Sequence, residues 1–378
     1  GRLDLSEAPQ AYKDIESVID SERDLVEPLV RLAPLASLKA WYNVNMYTFH
    51  ELEAADSPEV IFCGICPHGC RLEEGRTGVC RARRNSGGRI VPLAYGKPCA
   101  VAVDPMEKKP LFHFRPGTRI LSLGMAGCNL RCRNCQNAEI SQTSPDAVRG
   151  VRLMPDDLVS LMRRKGVESV AYTYTEPLVA FEYVLDCARA VRAAGFANVL
   201  VSAGYVNPEP LAELVPFLDA ANIDLKTMSE IGYRENCGAE RDPVLATLRT
   251  LARTDVVLEV TNLVIPGFND SEQDLQAWCK FVAGELGREV PVHFSRFFPC
   301  HRMTDRPPTP PETLRRAAEI ARAEGLEYVY CGNFDENEDT VCPQCGALLV
   351  RRRGFDVIEN AVRGGACPRC GGKVYGRF

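Results

Sequence analysis

Between residues 120 and 331, short apolar runs alternate with amphipathic stretches. The apolar runs predict strands at 120–124, 169–173, 198–202, 221–225, 256–264, 290–296 and 327–331. The stretches between them repeat apolar residues at helical spacing. Residues 155–165 open with a proline and two aspartates, place Leu158, Leu161 and Met162 on one face and stop at Gly166. Further helices are predicted at 177–194, ending at Gly195, at 271–286, capped by Ser271 and ending at Gly287, and at 311–324, ending at Gly325. Helices of this length between strands imply right-handed crossovers and a parallel sheet. Six or seven such units are too few to close an eight-stranded barrel. The expected fold is therefore α/β, a partial (βα)6-type TIM barrel open on one side.

The rest of the chain lacks this alternation. Residues 1–118 predict an extension, helical over 25–53 and then rich in Cys and Gly. Residues 119–332 form the expected barrel. Residues 333–378 form a compact cysteine module after a linker rich in Asn, Asp and Glu. A length of 378 residues allows one large core with smaller appendages. Hydrophobic residues at 46% and charged residues at 25% exclude a disordered chain. No apolar stretch reaches membrane-spanning length, and Asp4, Glu7, Asp14, Glu16 and Asp20 stand where a signal peptide needs a basic start. The expectation is a cytoplasmic protein with no membrane contact.

Of 17 cysteines, eleven fall in tight clusters with metal-ligand spacing, so reduced thiols and metals are expected rather than a disulfide framework. Charge is uneven as well. Residues 342–378 carry seven Arg or Lys against Asp356 and Glu359, a basic end on an acidic body. An acidic partner and a plain solvated surface both fit that asymmetry.

The densest chemistry follows the first predicted strand, where Cys128, Cys132 and Cys135 are spaced C-x3-C-x2-C. Three thiolates can hold one 4Fe-4S cluster and leave its fourth iron open to another ligand. A zinc knuckle with a remote fourth ligand is the alternative. Position favours the cluster, because barrel enzymes place their chemistry at the C-terminal ends of strands. The pattern resembles that of the radical S-adenosylmethionine (SAM) enzymes. In these the open iron chelates SAM, an electron cleaves a carbon-sulfur bond, and the adenosyl radical abstracts hydrogen from a substrate.

Other residues at strand ends fit that chemistry. Glu176, after the second strand, can accept a hydrogen bond from the SAM amine, or simply cap the helix it precedes. Asp224 and Lys226, two apart on one face of the fourth strand, suit the carboxylate and ribose hydroxyls of SAM, or form a mutual ion pair. Ser202 is a candidate for the ribose, and residues 261–267 offer an apolar backbone to adenine. His293 and Arg296 on the sixth strand, and His301 after it, are the polar groups expected nearest the site there. In radical SAM enzymes the residue before the third cysteine is usually aromatic and packs on adenine; Asn134 holds that position here.

Two further cysteine groups stand apart. Cys63, Cys66, Cys70 and Cys80 can hold zinc or a second 4Fe-4S cluster, and spacing does not separate the two. Cys342, Cys345, Cys367 and Cys370 form two C-P-x-C-G knuckles 21 residues apart, a zinc-ribbon pattern with rubredoxin-like iron as the alternative. Such a module is too short to fold on its core alone, so its metal supplies folding free energy. The charged and aromatic segment 104–114 is expected to cap the site or to present a solvated lysine pair.

Several motifs taken in order extend the resemblance. Cys63-Gly-Ile-Cys66-Pro-His-Gly-Cys70, Asp104-Pro-Met-Glu-Lys-Lys-Pro-Leu-Phe-His113-Phe, Gly127-Cys128-Asn-Leu-Arg-Cys132-Arg-Asn-Cys135-Gln-Asn137, Tyr172-Thr-Tyr-Thr-Glu176-Pro and Ile223-Asp-Leu-Lys226 resemble the radical SAM enzymes of the AmmeMemoRadiSam system. These are similar to pyruvate formate-lyase activating enzymes. The resemblance implies a 4Fe-4S cluster on Cys128, Cys132 and Cys135, SAM near Glu176, Asp224 and Lys226, and partners of the Memo and AMMECR types. An electron donor such as flavodoxin or ferredoxin is expected. Glycyl-radical activases carry Gly-Gly-Glu where this chain has Tyr174-Thr175-Glu176, which argues against that substrate. The expected function is reductive cleavage of SAM to a 5′-deoxyadenosyl radical that takes hydrogen from an unidentified substrate. The alternatives are an activase for a glycyl-radical enzyme, an RNA-modifying enzyme using the basic Arg351–Arg353 run, and a non-enzymatic zinc scaffold.

Overall fold

The computed structural model describes residues 51–52, 60–333 and 338–378. The expected helix at 25–53 lies almost wholly outside them.

The core is one eight-stranded sheet. Its strands are β1 (Ala100–Pro105), β2 (Arg119–Gly124), β3 (Ser169–Thr173), β4 (Ala197–Ser202), β5 (Ala220–Asp224), β6 (Val257–Val264), β7 (Val292–Arg296) and β8 (Val329–Gly332). They lie in sequence order across the sheet. From β2 to β8 every pairing is parallel, and only β1 runs antiparallel to its neighbour β2. The two edge strands β1 and β8 do not pair, so the barrel is partial. All seven expected strands are present. The sheet starts earlier than expected, because the alternating run at β1 joins it as an antiparallel edge.

Helices return each strand to the same end. They are α1 (Pro155–Lys165), α2 (Phe181–Ala193), α3 (Pro208–Leu214), α4 (Asp242–Ala252), α5 (Glu272–Phe281) and α6 (Pro311–Ala323). In α1, Gly166 takes a left-handed φ of 63° and closes the last turn, as the sequence implied. In α5, the Ser271 hydroxyl accepts from the Asp274 N–H. Helices α3 and α4 were not expected. The first is short and carries two prolines, while α4 buries Val244, Leu245, Leu248 and Leu251 against the sheet.

The segment expected to cap the site instead closes the opposite end. Strand β1 runs toward the N-terminal edge of the parallel strands, and the connection to β2 turns inward there. The Pro110 carbonyl accepts from the Asn222 side-chain amide at 2.7 Å, and the Phe112 and His113 N–H groups donate to buried Glu259 at 3.1 and 2.7 Å. Lys109 is buried rather than solvated, 2.5 Å from Asp104.

The C-terminal module docks on this floor. Its three-stranded antiparallel sheet comprises Thr340–Val341, Leu348–Arg353 and Asp356–Asn360. Strand alternation turns Arg352 inward while Arg351 and Arg353 face solvent. The Arg352 guanidinium lies 4.2 Å from the Phe112 ring centroid, donates to the Phe112 carbonyl at 2.8 Å and stands 3.6 Å from buried Glu107.

Candidate active site and metal centres

Strand β2 delivers the chain to the C-terminal edge of the sheet, where Gly127 precedes Cys128. Gly127 has φ of 96°, and a Cβ there would lie 2.6 Å from the Cys80 carbonyl oxygen, so only glycine fits. The loop is then fastened to the π-helical turn Tyr233–Cys237, with the Arg131 N–H donating to the Cys237 carbonyl at 2.7 Å and the Arg133 N–H to the Asn236 carbonyl at 3.0 Å. The Leu130 N–H points at Cys128 Sγ at 3.3 Å.

The three thiols share one electrostatic environment. Burial holds the Cys128 thiol well above its ordinary pKa, and Glu176, Cys132 and Cys135 add to the effect. Burial raises Cys135 too. Cys132 is lowered to about 7, first by a hydrogen bond from Cys237 and, against its burial, by the Lys226 ammonium. Soft sulfur donors in an apolar setting, with an N–H aimed at one of them, suit an iron-sulfur cluster.

Glu176 and Ser202 meet beside the triad. The buried Glu176 carboxylate caps the turn Pro177–Ala180 through the Leu178 N–H at 3.1 Å and accepts from the Ala203 N–H at 2.9 Å. Ser202 Oγ lies 2.8 and 3.0 Å from its two oxygens. One hydroxyl carries one proton, so only one of these contacts is a hydrogen bond at a time and the carboxylate keeps a free acceptor position. Burial raises the Glu176 pKa, opposed by these donors and by Lys226. Lys226 and Asp224 form the ion pair, at 3.1 Å. Burial opposes the Lys226 charge, but Asp224 with Cys132 and Cys237 outweighs it and holds the pKa well above the ordinary value.

The structure draws other expected residues elsewhere. His293 sits on the barrel floor, its Nε2 2.7 Å from Glu259 and its ring packed against Phe112 and Tyr330. It does not reach the triad, because it is near the start of β7 and faces the floor segment. Arg296 donates to the Thr309 carbonyl, and His301 is exposed. Asn134 is buried and accepts from the Asn236 side-chain amide at 3.0 Å. In the 261–267 stretch, Ile265 joins Phe297 and Met303 in a small apolar cluster with Leu263 beside it.

Three site residues escaped the sequence. Cys237 is hydrogen-bonded to Cys132, and Cys300 feels Cys135 while its thiol donates to the Asn134 carbonyl at 3.2 Å. Both lie more than 100 residues from the triad, so no spacing marks them. Tyr174 has φ of 74°, a conformation natural to glycine, and its ring packs on Gly124 with the Lys109 ammonium 5.2 Å from its centroid.

The family model of the radical SAM superfamily matches residues 123–279, which contain the triad, Glu176, Ser202, Asp224 and Lys226. This chain belongs to the radical SAM superfamily. It is 44% identical over 316 residues to an uncharacterized protein of Methanocaldococcus jannaschii, covering 82% of this chain and 94% of that one. It is 26% identical to the isethionate sulfite-lyase activating enzyme of Nitratidesulfovibrio vulgaris, over 69% of this chain and 84% of the relative. It is also 25% identical to the pyruvate formate-lyase 1-activating enzyme of Escherichia coli, over 44% and 69%. The chain is an enzyme by this membership, and radical SAM chemistry implies a 4Fe-4S cluster and SAM. No helix among the described residues is long and apolar enough to cross a membrane.

Outside the radical SAM core, the four C-terminal cysteines converge as a candidate metal site. The sulfurs of Cys342, Cys345, Cys367 and Cys370 all lie within 4.8 Å of one another, with Cys342–Cys370 and Cys345–Cys367 at 3.7 Å. Four metal–sulfur bonds of about 2.3 Å in a tetrahedron give edges of about 3.8 Å. Cys63, Cys66, Cys70 and Cys80 line a single cavity on the far side of the triad loop.

Proposed function

We propose that this enzyme binds a 4Fe-4S cluster on Cys128, Cys132 and Cys135, binds SAM at its open iron, and uses the resulting radical to take hydrogen from a partner protein. The observation that carries this reading is the meeting of the three cysteines with Glu176, Ser202 and the Lys226–Asp224 pair at the C-terminal edge of the sheet. The cluster would supply the single-electron reduction that splits SAM into methionine and a 5′-deoxyadenosyl radical. Glu176 offers its free acceptor position to the SAM amine, with Ser202 holding the carboxylate in place. Lys226 and Asp224 are matched to a carboxylate and to ribose hydroxyls. Leu263, Ile265 and Met303 give adenine an apolar wall. The floor segment keeps water from entering through the bottom of the barrel.

A protein substrate is favoured because several relatives are named activating enzymes. Membership of the AmmeMemoRadiSam system, with Memo- or AMMECR-type partners and a flavodoxin or ferredoxin as donor, is the finer form of this proposal. An RNA substrate is less well supported, since Arg352 of the basic run is spent in docking the ribbon. The ribbon is proposed to hold zinc, and the abundance of free thiols fits the cytoplasm. Anaerobically reconstituted protein with dithionite and SAM should release 5′-deoxyadenosine, and Cys132→Ala should abolish that release while leaving the ribbon's metal bound. No 5′-deoxyadenosine from cluster-loaded wild type would end the proposal. Deuterium passed between 5′-deoxyadenosine and a candidate partner would identify the substrate.

A further inference from the structure

We propose that Cys63, Cys66, Cys70 and Cys80 hold a second 4Fe-4S cluster, ligated entirely by this chain and seated against the back of the triad loop. The inference stands apart from the SAM-cleaving reading. It rests on the residues that line a different cavity.

The four thiols line one pocket whose remaining wall includes Ile65, Val79 and Val179. Polar groups are aimed at the sulfurs. The Val79 N–H points at Cys70 Sγ at 3.4 Å, and Asn129 lines the pocket beside the thiols. Arg83, only 2% exposed, lines the same cavity, and its Nε–H has no hydrogen-bond partner although the rest of the guanidinium grips Glu182 at 2.6 and 2.7 Å. A buried donor without a partner is costly unless an anionic group faces it. A cluster with four thiolates is such a group.

Sulfur spacing separates a cluster from zinc. Among the described residues, the ribbon is the one set of three or more Cys, His, Asp or Glu ligand atoms all within 4.8 Å of one another. Neither the N-terminal four nor Cys128, Cys132 and Cys135 form such a set. A single zinc draws its sulfurs to about 3.8 Å. A 4Fe-4S cube gives each thiolate its own iron and needs a wider set.

The two sites share a wall. Asn129, which lines the cysteine pocket, directly follows Cys128, and its carbonyl lies 2.7 Å from His68 Nε2. Gly127 is pressed on the Cys80 carbonyl. A cluster with four cysteine ligands has no open corner, so SAM should leave its spectrum unchanged.

The test uses the full chain, prepared anaerobically with iron and sulfide. Wild type should carry about eight irons and eight sulfides, and the Cys128→Ala/Cys132→Ala/Cys135→Ala variant about four of each. The dithionite-reduced variant should give an electron paramagnetic resonance signal that added SAM does not move. Cys63→Ala/Cys66→Ala should keep about four irons and a SAM-responsive signal. A triad variant with the circular dichroism of wild type but a second zinc in place of iron, or with no metal beyond the ribbon's, overturns the proposal. Wild type saturating at about four irons whose whole signal responds to SAM overturns it equally, so a misfolded variant gives it no shelter.

Discussion

Acid should loosen the floor of this enzyme through one residue, His113. Its imidazole is fully buried, with Nδ1 2.6 Å from the Tyr375 carbonyl and Nε2 2.7 Å from the Tyr330 hydroxyl. The neutral ring fits that pair, Nδ1–H donating to the carbonyl and Nε2 accepting from the hydroxyl. Burial holds its pKa down at about 4, helped by Arg352 and His293 and opposed by Glu259 and the Tyr375 carbonyl. The unfolded chain takes up a proton near pH 6.5, while the folded protein resists it until about pH 4. The stabilisation is therefore complete above pH 6.5, and it is lost as pH falls toward 4. Between pH 7.5 and 5.0 those two values give a loss of about 2 kcal/mol from this residue alone, rising to about 3 kcal/mol below pH 4. Anaerobic urea unfolding of wild type and His113→Gln at both pH values measures it. The variant will be less stable throughout, but its loss on acidification should be smaller by about 2 kcal/mol. Equal losses in the two proteins would refute the reasoning.

Two substitutions probe the site and the docking surface. Ser202→Ala removes the hydroxyl that orients Glu176 but leaves the Ala203 and Leu178 donors, so SAM affinity should fall by about 1–2 kcal/mol with cluster content unchanged. Isothermal titration gives the answer, and an unaltered affinity would remove Ser202 from the binding site. Arg352→Met strands the Glu107 carboxylate in a dry interface and should cost about 3–5 kcal/mol. It should also speed hydrogen exchange in the floor segment and ribbon together; faster exchange in the ribbon alone would show that the two do not act as one unit.

The order of strands and the grouping of the candidate site were legible in the chain because both depend on local signals. Apolar runs of four to eight residues, glycines after helices and a tight C-x3-C-x2-C at a strand end each report on neighbours in sequence. Asp224 and Lys226 could be paired on paper because a strand's period of two dictates it. His293 could not be placed, since a histidine on β7 faces the site or the floor according to its depth in the barrel, and only the fold sets that depth. Cys237 and Cys300 came to the triad, and Tyr174 onto Gly124, through contacts between distant segments.

The sequence by itself determined the alternation that makes a parallel sheet and the thiol spacings that mark three candidate metal centres, because backbone periodicity and ligand reach are short-range properties. Tertiary structure alone decided that segment 104–114 seals the base of the barrel, that Arg352 is buried beneath the ribbon, and that the N-terminal cysteines back onto the triad loop. These are packing outcomes, fixed by which apolar and charged surfaces exclude water together once the whole chain has folded.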